Sequence, residues 1–381
     1  MNPAKWQMLR RYVTNEALMV TLLIGLAIVL FLAVGGLSRI FHAQQSALGE
    51  RWFARGVADL GSGHFEAAVI DFRTALHYAR DNYSYQLNLA QALMGVGRIS
   101  EAHAYLINLW ERQPENGFVN LELARIAVQQ GETEQALRYY HNSIYATWPD
   151  NEEAARHDVR LELIEYLLHI NAKAQAQSEL IALAANTGDA PAQQRQLGDL
   201  FLRAQDYEHA LAAYRASLKK EPRNAAALAG AGRAAFQLAR YAGARAFLRA
   251  AVGQDPKDID STERLKITEL VLEMDPFRPQ LSAADRNRSV LAAFKAAGER
   301  LETCSAPDKN TAGSLSLSDL SQEWKKQKPR MTERNLTRDS DLVNHAMQLV
   351  FKIERKTNGA CGSLTEADDA LLMIAKLHEG N

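Results

Sequence analysis

The sequence predicts an all-α chain in three parts: a single N-terminal transmembrane helix, a right-handed solenoid of helical hairpins, and a small C-terminal helical region. Three observations predict it. Residues 17–37 are an uncharged apolar run. From Ala68 to Ala244, alanines recur at a spacing of 34 residues in four steps out of five. Beyond residue 258, apolar side chains fall at helical spacing behind cap-type residues, but without the hairpin register.

The apolar run comes first. Ala17 to Leu37 reads ALMVTLLIGLAIVLFLAVGGL, long enough to cross a hydrocarbon core of about 30 Å as a helix. Lys5, Arg10 and Arg11 precede it, and Arg39 follows, with Arg51 more distant beside Glu50. This basic excess predicts a cytoplasmic segment at 1–16, a span at 17–37 and an extracytoplasmic remainder, joined by a juxtamembrane linker at 38–48. Trp6 and Tyr12 are expected at one membrane interface. A cleavable signal is the rival reading. Its apolar core is shorter as a rule, and the small-x-small site Ala33-Val34-Gly35 lies inside the run. No cysteine follows closely, which argues against a lipoprotein.

The period comes second. Ala68, Ala102, Ala136, Ala176, Ala210 and Ala244 are separated by 34, 34, 40, 34 and 34 residues. Twelve positions before each stand Gly56, Ala90, Ala124, Ile164, Gly198 and Gly232; four positions after each stand Phe72, Leu106, Tyr140, Leu180, Tyr214 and Leu248. A small residue lets two helices approach closely, and a large one four residues beyond the alanine fills the adjoining groove. Gly-containing segments at 61–65, 95–98 and 130–133 suit tight reversals. Pro114, Pro149, Pro222 and Pro256 close several units, because proline cannot continue a helix.

At these residues the chain resembles the tetratricopeptide-repeat family, of the membrane-anchored bacterial type. Residues 191–224 fit that pattern best, through Leu197-Gly198, Phe201, Ala210, Tyr214 and Pro222. Six units are expected over 49–258: 49–82, 83–116, 117–150, 157–190, 191–224 and 225–258. The fourth is degenerate, with about six residues inserted before it, where a kink or enlarged loop is expected. The resemblance implies a concave surface lined by the first helix of each unit, holding a peptide or helix of a protein partner. By register that surface takes Phe53, Val57, Leu87, Gln91, Met94, Leu121, Arg125, Val128, Arg195, Asp199, Arg233 and Phe236. The arginines are suited to carboxylates of a partner; the bland alternative is packing between hairpins and solvated charge. The family's Lys/Asn carboxylate clamp is not found.

The remainder is less specific. A capping helix is expected at 259–276, with Leu265, Ile267, Leu270, Val271 and Met274 as its apolar stripe. Residues 277–381 match no family: a helix is expected from the Ser282/Asp285 cap to Thr303, a loop at 305–316, and helices at about 338–357 and 366–378, the last opened by Thr365 and Asp368. Cys304 and Cys361, the only cysteines, are expected either to form a disulfide in an oxidising compartment or to stay free. A metal site with His345 or His378 lacks ligand spacing.

The whole chain carries a net charge of −1, which argues against nucleic acid as partner. No phosphate loop, zinc-protease helix or nucleophile elbow occurs in the sequence. The expectation is therefore a scaffold in a bacterial inner membrane with periplasmic repeats, serving envelope assembly or secretion, not an enzyme, and without cofactor. The alternatives are an adaptor for a catalytic or ligand-binding C-terminal region, and a homo-oligomerisation module.

Overall fold

The computed structural model describes residues 3–148, 151–304, 314–361 and 365–378, with side chains from residue 19 and without those of 314–316. Among the described residues every regular element is helical, apart from an isolated bridge between Asn116 and Thr147. The chain divides into two compact units, Met1–Leu163 and Ile164–Asn381.

The first unit opens on α1 (Pro3–Gly61), then α2 (Phe65–Tyr78), α3 (Tyr83–Gly95), α4 (Ile99–Arg112), α5 (Gly117–Gln130) and α6 (Thr133–Ile144). Residues 38–48, expected as a linker, are helical throughout, because nothing between the apolar run and the first hairpin breaks a helix. Residues 19–61 of α1 are long and apolar enough to cross a membrane, with mean hydropathy 2.7 in the most apolar window. The side chains of Trp6, Lys5, Arg10, Arg11 and Tyr12 lie outside the described residues, as does Pro149.

Helix α7 (Glu152–His169) runs across the division, and the second unit continues with α8 (Lys173–Ala184), α9 (Pro191–Arg203), α10 (Tyr207–Lys220), α11 (Ala225–Gln237), α12 (Tyr241–Gln254) and α13 (Ile259–Met274). The insertion before the fourth repeat mainly lengthens a helix: α7 has 18 residues and starts at Glu152, against 13 in α9 and α11.

Each hairpin is built the same way. All six period alanines are 0% exposed, and so are Phe72, Leu106, Leu180, Tyr214 and Leu248. The reversal between paired helices uses one residue in the left-handed region, five before each alanine: Gly63, Gly97, Gly131, Asn171, Gln205 and Ala239, with φ from 56° to 78°. Glycine takes this conformation without cost, whereas a Cβ crowds the carbonyl. A second device opens the first helices. The side chains of Asn82, Asn116, Asn224 and Asp258 accept from the backbone N–H three residues on, so the same cap recurs at 34-residue register. At the corresponding place in the fifth repeat, Ala190 precedes Pro191 at the first helical position instead.

Beyond α13 the second unit holds α14 (Ala283–Cys304), α15 (Ser314–Gln327), a 3₁₀ turn (Lys328–Arg330), α16 (Glu333–Arg338), α17 (Ser340–Cys361) and α18 (Glu366–Leu377). The loop expected at 305–316 falls partly outside the described residues, at 305–313, and its end is already helical in α15. Helices α15 and α16 have no counterpart in the sequence reading. One core joins these helices to the α13 cap, with Val271, Met274, Phe294, Trp324, Met347 and Ile374 among its buried members. Trp324 stacks on Phe294 at 5.5 Å and donates to the Phe294 carbonyl at 3.1 Å. Ser282 and Asp285 cap α14, and Thr365 with Asp368 forms a reciprocal capping box on α18. Cys304 and Cys361 are disulfide-bonded, their Cα atoms 5.7 Å apart, joining the ends of the two longest helices of this region.

Candidate protein-binding surface

The first-helix positions singled out from the sequence separate into packing residues and surface residues. Phe53 stacks on Tyr85 at 4.7 Å and packs against Phe72 at 5.7 Å, bridging the first and second hairpins. Leu87 and Phe236 are 8% and 7% exposed. These three belong mainly to the packing between hairpins. Val57 is exposed, and Met94, Leu121 and Val128 are half-buried, so apolar surface remains on α1, α3 and α5.

The polar positions are joined into a ladder. Gln91 of α3 donates to Glu122 Oε1 of α5 at 2.8 Å, and Arg125 donates to the same oxygen at 2.9 Å. Arg125 then grips Glu162 of α7 with two bonds, at 2.9 and 2.7 Å, while the Tyr140 hydroxyl donates to Glu162 at 3.0 Å. Three successive first helices are thereby cross-linked within the first unit. Burial alone raises the Glu162 pKa, but the Arg125 bonds outweigh it and hold the carboxyl below its usual range. The same bonds push the Arg125 guanidinium up, against its own desolvation.

The second unit repeats the theme with other residues. Arg195 pairs with Asp199 at 2.8 Å, and Asp199 accepts the Tyr214 hydroxyl at 2.6 Å. Burial, then the Asp199 charge and hydrogen bond, push the Tyr214 hydroxyl far above its ordinary pKa. Arg233 lies 3.5 Å from Asp260 of α13, which also pairs with Arg264 at 2.9 Å; Arg264 sits 5.6 Å over the Phe236 ring. On the flank, Arg203 of α9 makes two 2.7 Å bonds to Glu165 of α7, and those bonds hold Glu165 low.

All three arginines expected to await a partner's carboxylate therefore meet a carboxylate of their own chain. Glu122, Glu162 and Asp260 escaped the sequence reading. Part of the signal was available: Glu122 stands three residues before Arg125 on α5, a helical spacing, whereas Glu162 and Asp260 lie on the next first helix along and carry no local mark. The resulting surface carries little net charge. It offers hydrogen-bonding edges flanked by short apolar patches, which suits a protein segment better than a strongly charged ligand.

Among the described residues, no three metal-ligating side chains gather within reach of one ion. A family model, "Tetratricopeptide repeat", matches residues 87–152 and 195–259. No curated protein sequence matches the chain. Solved structures similar to it include Pseudomonas aeruginosa PilF, at 17% identity and TM-score 0.40, covering 58% of this chain and 97% of that one. Another is YrrB, described as a repeat protein of this kind with an unusual peptide-binding site, at 16% identity and TM-score 0.39, over 50% and 95%. MamA matches at 14% identity and TM-score 0.27, over 56% and 94%.

Proposed function

We propose, for a chain that belongs over residues 87–152 and 195–259 to the tetratricopeptide-repeat family, a membrane-anchored interaction scaffold whose client docks on the first-helix surface. Repeats of this kind are protein–protein interaction scaffolds; the anchor and the docking face are the proposed refinements. The observation that supports the docking face most is the cross-helix ladder from Gln91 to Glu162, which fixes that surface rigidly while Val57, Met94, Leu121 and Val128 stay accessible beside it. A preorganised surface loses little conformational entropy on binding.

Residues 17–37 are the anchor, with the N-terminal basic cluster in the cytoplasm and the repeats outside it in a bacterial envelope, serving assembly or secretion. The exposed apolar side chains from Met19 to Phe41 support the anchor, and the cysteine pair of the C-terminal region suits an oxidising compartment. The chain is read as non-catalytic, its partner as a protein.

Photo-crosslinkers placed at Val57, Leu121 and Val128 test the docking face against matched crosslinkers at Arg73 and Arg249, which lie on second helices. A client captured equally from both sets removes the face from the proposal. Topology is tested by a phosphatase fusion after residue 381: activity is expected, and a fusion active only with a cytoplasmic reporter reverses the orientation. The N-terminal peptide retained in the mature protein separates an anchor from a cleaved signal.

A further inference from the structure

The C-terminal helices line an open cleft of about 1000 Å³ that the repeats do not share, at the upper end of the range for ligand sites. Its walls are the 276–281 segment after α13, the start of α14, one side of α17 and the end of α18. Helix α17 lines it from Ser340 to Arg355, a length of about 22 Å at helical rise. That is more than a compact small molecule needs, and equals about seven residues of extended chain.

Two stripes run along this wall. Val343, Met347 and Phe351 follow one another at four-residue spacing and form a buried apolar floor. Ser340, Asn344 and Gln348 make a parallel polar stripe one residue round the helix, exposed to the cleft. Carboxamides so placed are able to bond the N–H and C=O groups of an extended backbone.

The charge of the lining has one sign. Arg278, Arg286 and Arg355 line it, and His378 closes one end, whereas no carboxylate is among the described lining residues. Two acids flank it: Asp275 lies 3.2 Å from His378 and accepts the Phe277 N–H at 2.9 Å, and Asp285, whose charge is felt by Arg278, is held by the Ser282 hydroxyl and by Arg288. The buried Nε of Arg286 finds no hydrogen-bond acceptor; that of Arg233 on the repeat surface also lacks one but has the Asp260 carboxylate 3.5 Å away. A desolvated guanidinium N–H without an acceptor is costly, and a bound carboxylate relieves that cost.

We propose that this cleft is a second recognition site, taking an extended acidic peptide of a partner protein. Carboxylates of the peptide pair with Arg286 and Arg278, its apolar side chains lie over the floor at Val343 and Phe351, and its main chain bonds Asn344 and Gln348. The site stands independently of the docking face assigned to the repeats.

The test uses the full chain in lipid nanodiscs and a fluorescein-labelled octapeptide alternating glutamate with leucine. Fluorescence anisotropy should show saturable binding that weakens about tenfold or more when glutamate is replaced by glutamine. Arg278→Gln combined with Arg286→Gln should weaken it by a similar factor, and Phe351→Ala should weaken it less. Lys295→Gln, a cation outside the cleft, should leave it unchanged, and thermal melting of each variant confirms that it is folded. Equal binding of the two peptides, or binding indifferent to the arginine pair in a folded variant, overturns the proposal. So does absence of peptide binding combined with arginine-dependent binding of dodecanoate, which assigns the cleft to a small amphipathic anion.

Discussion

Hairpins α9–α12 and the bundle α14–α18 are both helical and belong to the same compact unit, yet different forces hold them. In the hairpins one contact is repeated. The Tyr214 ring fits between Gly198 of its own hairpin and Gly230 of the next, where a Cβ on Gly198 would stand 2.9 Å from the ring and one on Gly230 would run into it. Stability there is a series of small, local, similar terms. The bundle instead relies on contacts far apart in sequence: a disulfide spanning 57 residues, and a buried charge group of Arg300, Asp368 and Glu354. Arg300 Nε lies 3.6 Å from Asp368 Oδ2, and Glu354 is fully buried. Local repetition gives a structure that tolerates irregular units. Long-range closure gives one that depends on single features.

The comparison breaks most readily at the disulfide. Replacing Cys304 and Cys361 by serine should cost about 4 kcal/mol by chain entropy for a loop of this length. Hydrogen exchange should then quicken in α14, α17 and α18 and stay nearly constant in α9–α12. Uniform quickening would show that the bundle and hairpins unfold together.

Gly230→Val is the converse break, expected to cost about 3 kcal/mol by overpacking against Tyr214. Exchange should quicken in α10 and α11 and remain slow in α14 and α17.

Glu354→Gln sharpens the contrast through pH. Burial first, and then the Asp368 charge, push the Glu354 carboxyl up to about 8, while Arg300 opposes them. The unfolded chain releases this proton near 4.5 and the folded chain only near 8, so the folded state binds more protons between these values. The native bundle therefore loses stability as pH rises from 4.5 to 8. The glutamine variant should melt several degrees above the parent at pH 9 and differ little at pH 4; an equal offset at both would rule out the titration.

The smallest expected effect is a gain. Ala239→Gly places glycine where φ is 56° and should stabilise the last hairpin by about 0.5 kcal/mol, read as a shift in denaturation midpoint.

The same contrast explains what was legible in the sequence. Ala68 and its five equivalents, with the small and large residues around them, pointed to buried positions because a local contact recurs at fixed spacing. The recurring turn residue from Gly63 to Ala239 stayed hidden only because three of its six members are not glycine. Helix α15 was not legible: Ser314–Gln327 owes its place to Trp324, which fits against Gly298 and Phe294 some 30 residues earlier. Among the first-helix positions, register placed Arg125 on α5 but gave no hint that Glu162 would already occupy it, since that pairing crosses from one hairpin to the next. The cleft along α17 draws on four separate segments and has no local signature.

The unbroken course of α1 carries the apolar run into the first hairpin as one continuous helix, a rod if that run is the proposed anchor. A rod transmits rotation. Each residue inserted between Leu37 and Gly49 would turn the first hairpin by about 100° about the helix axis and move it about 1.5 Å along it, while seven residues would restore the facing almost completely. Under the proposed function, the direction in which the scaffold meets its client is thus encoded as a phase, counted in residues from the end of the apolar run. A client fixed in the same membrane would read that phase, so binding should rise and fall with insertion length. A client free in solution would be indifferent to it.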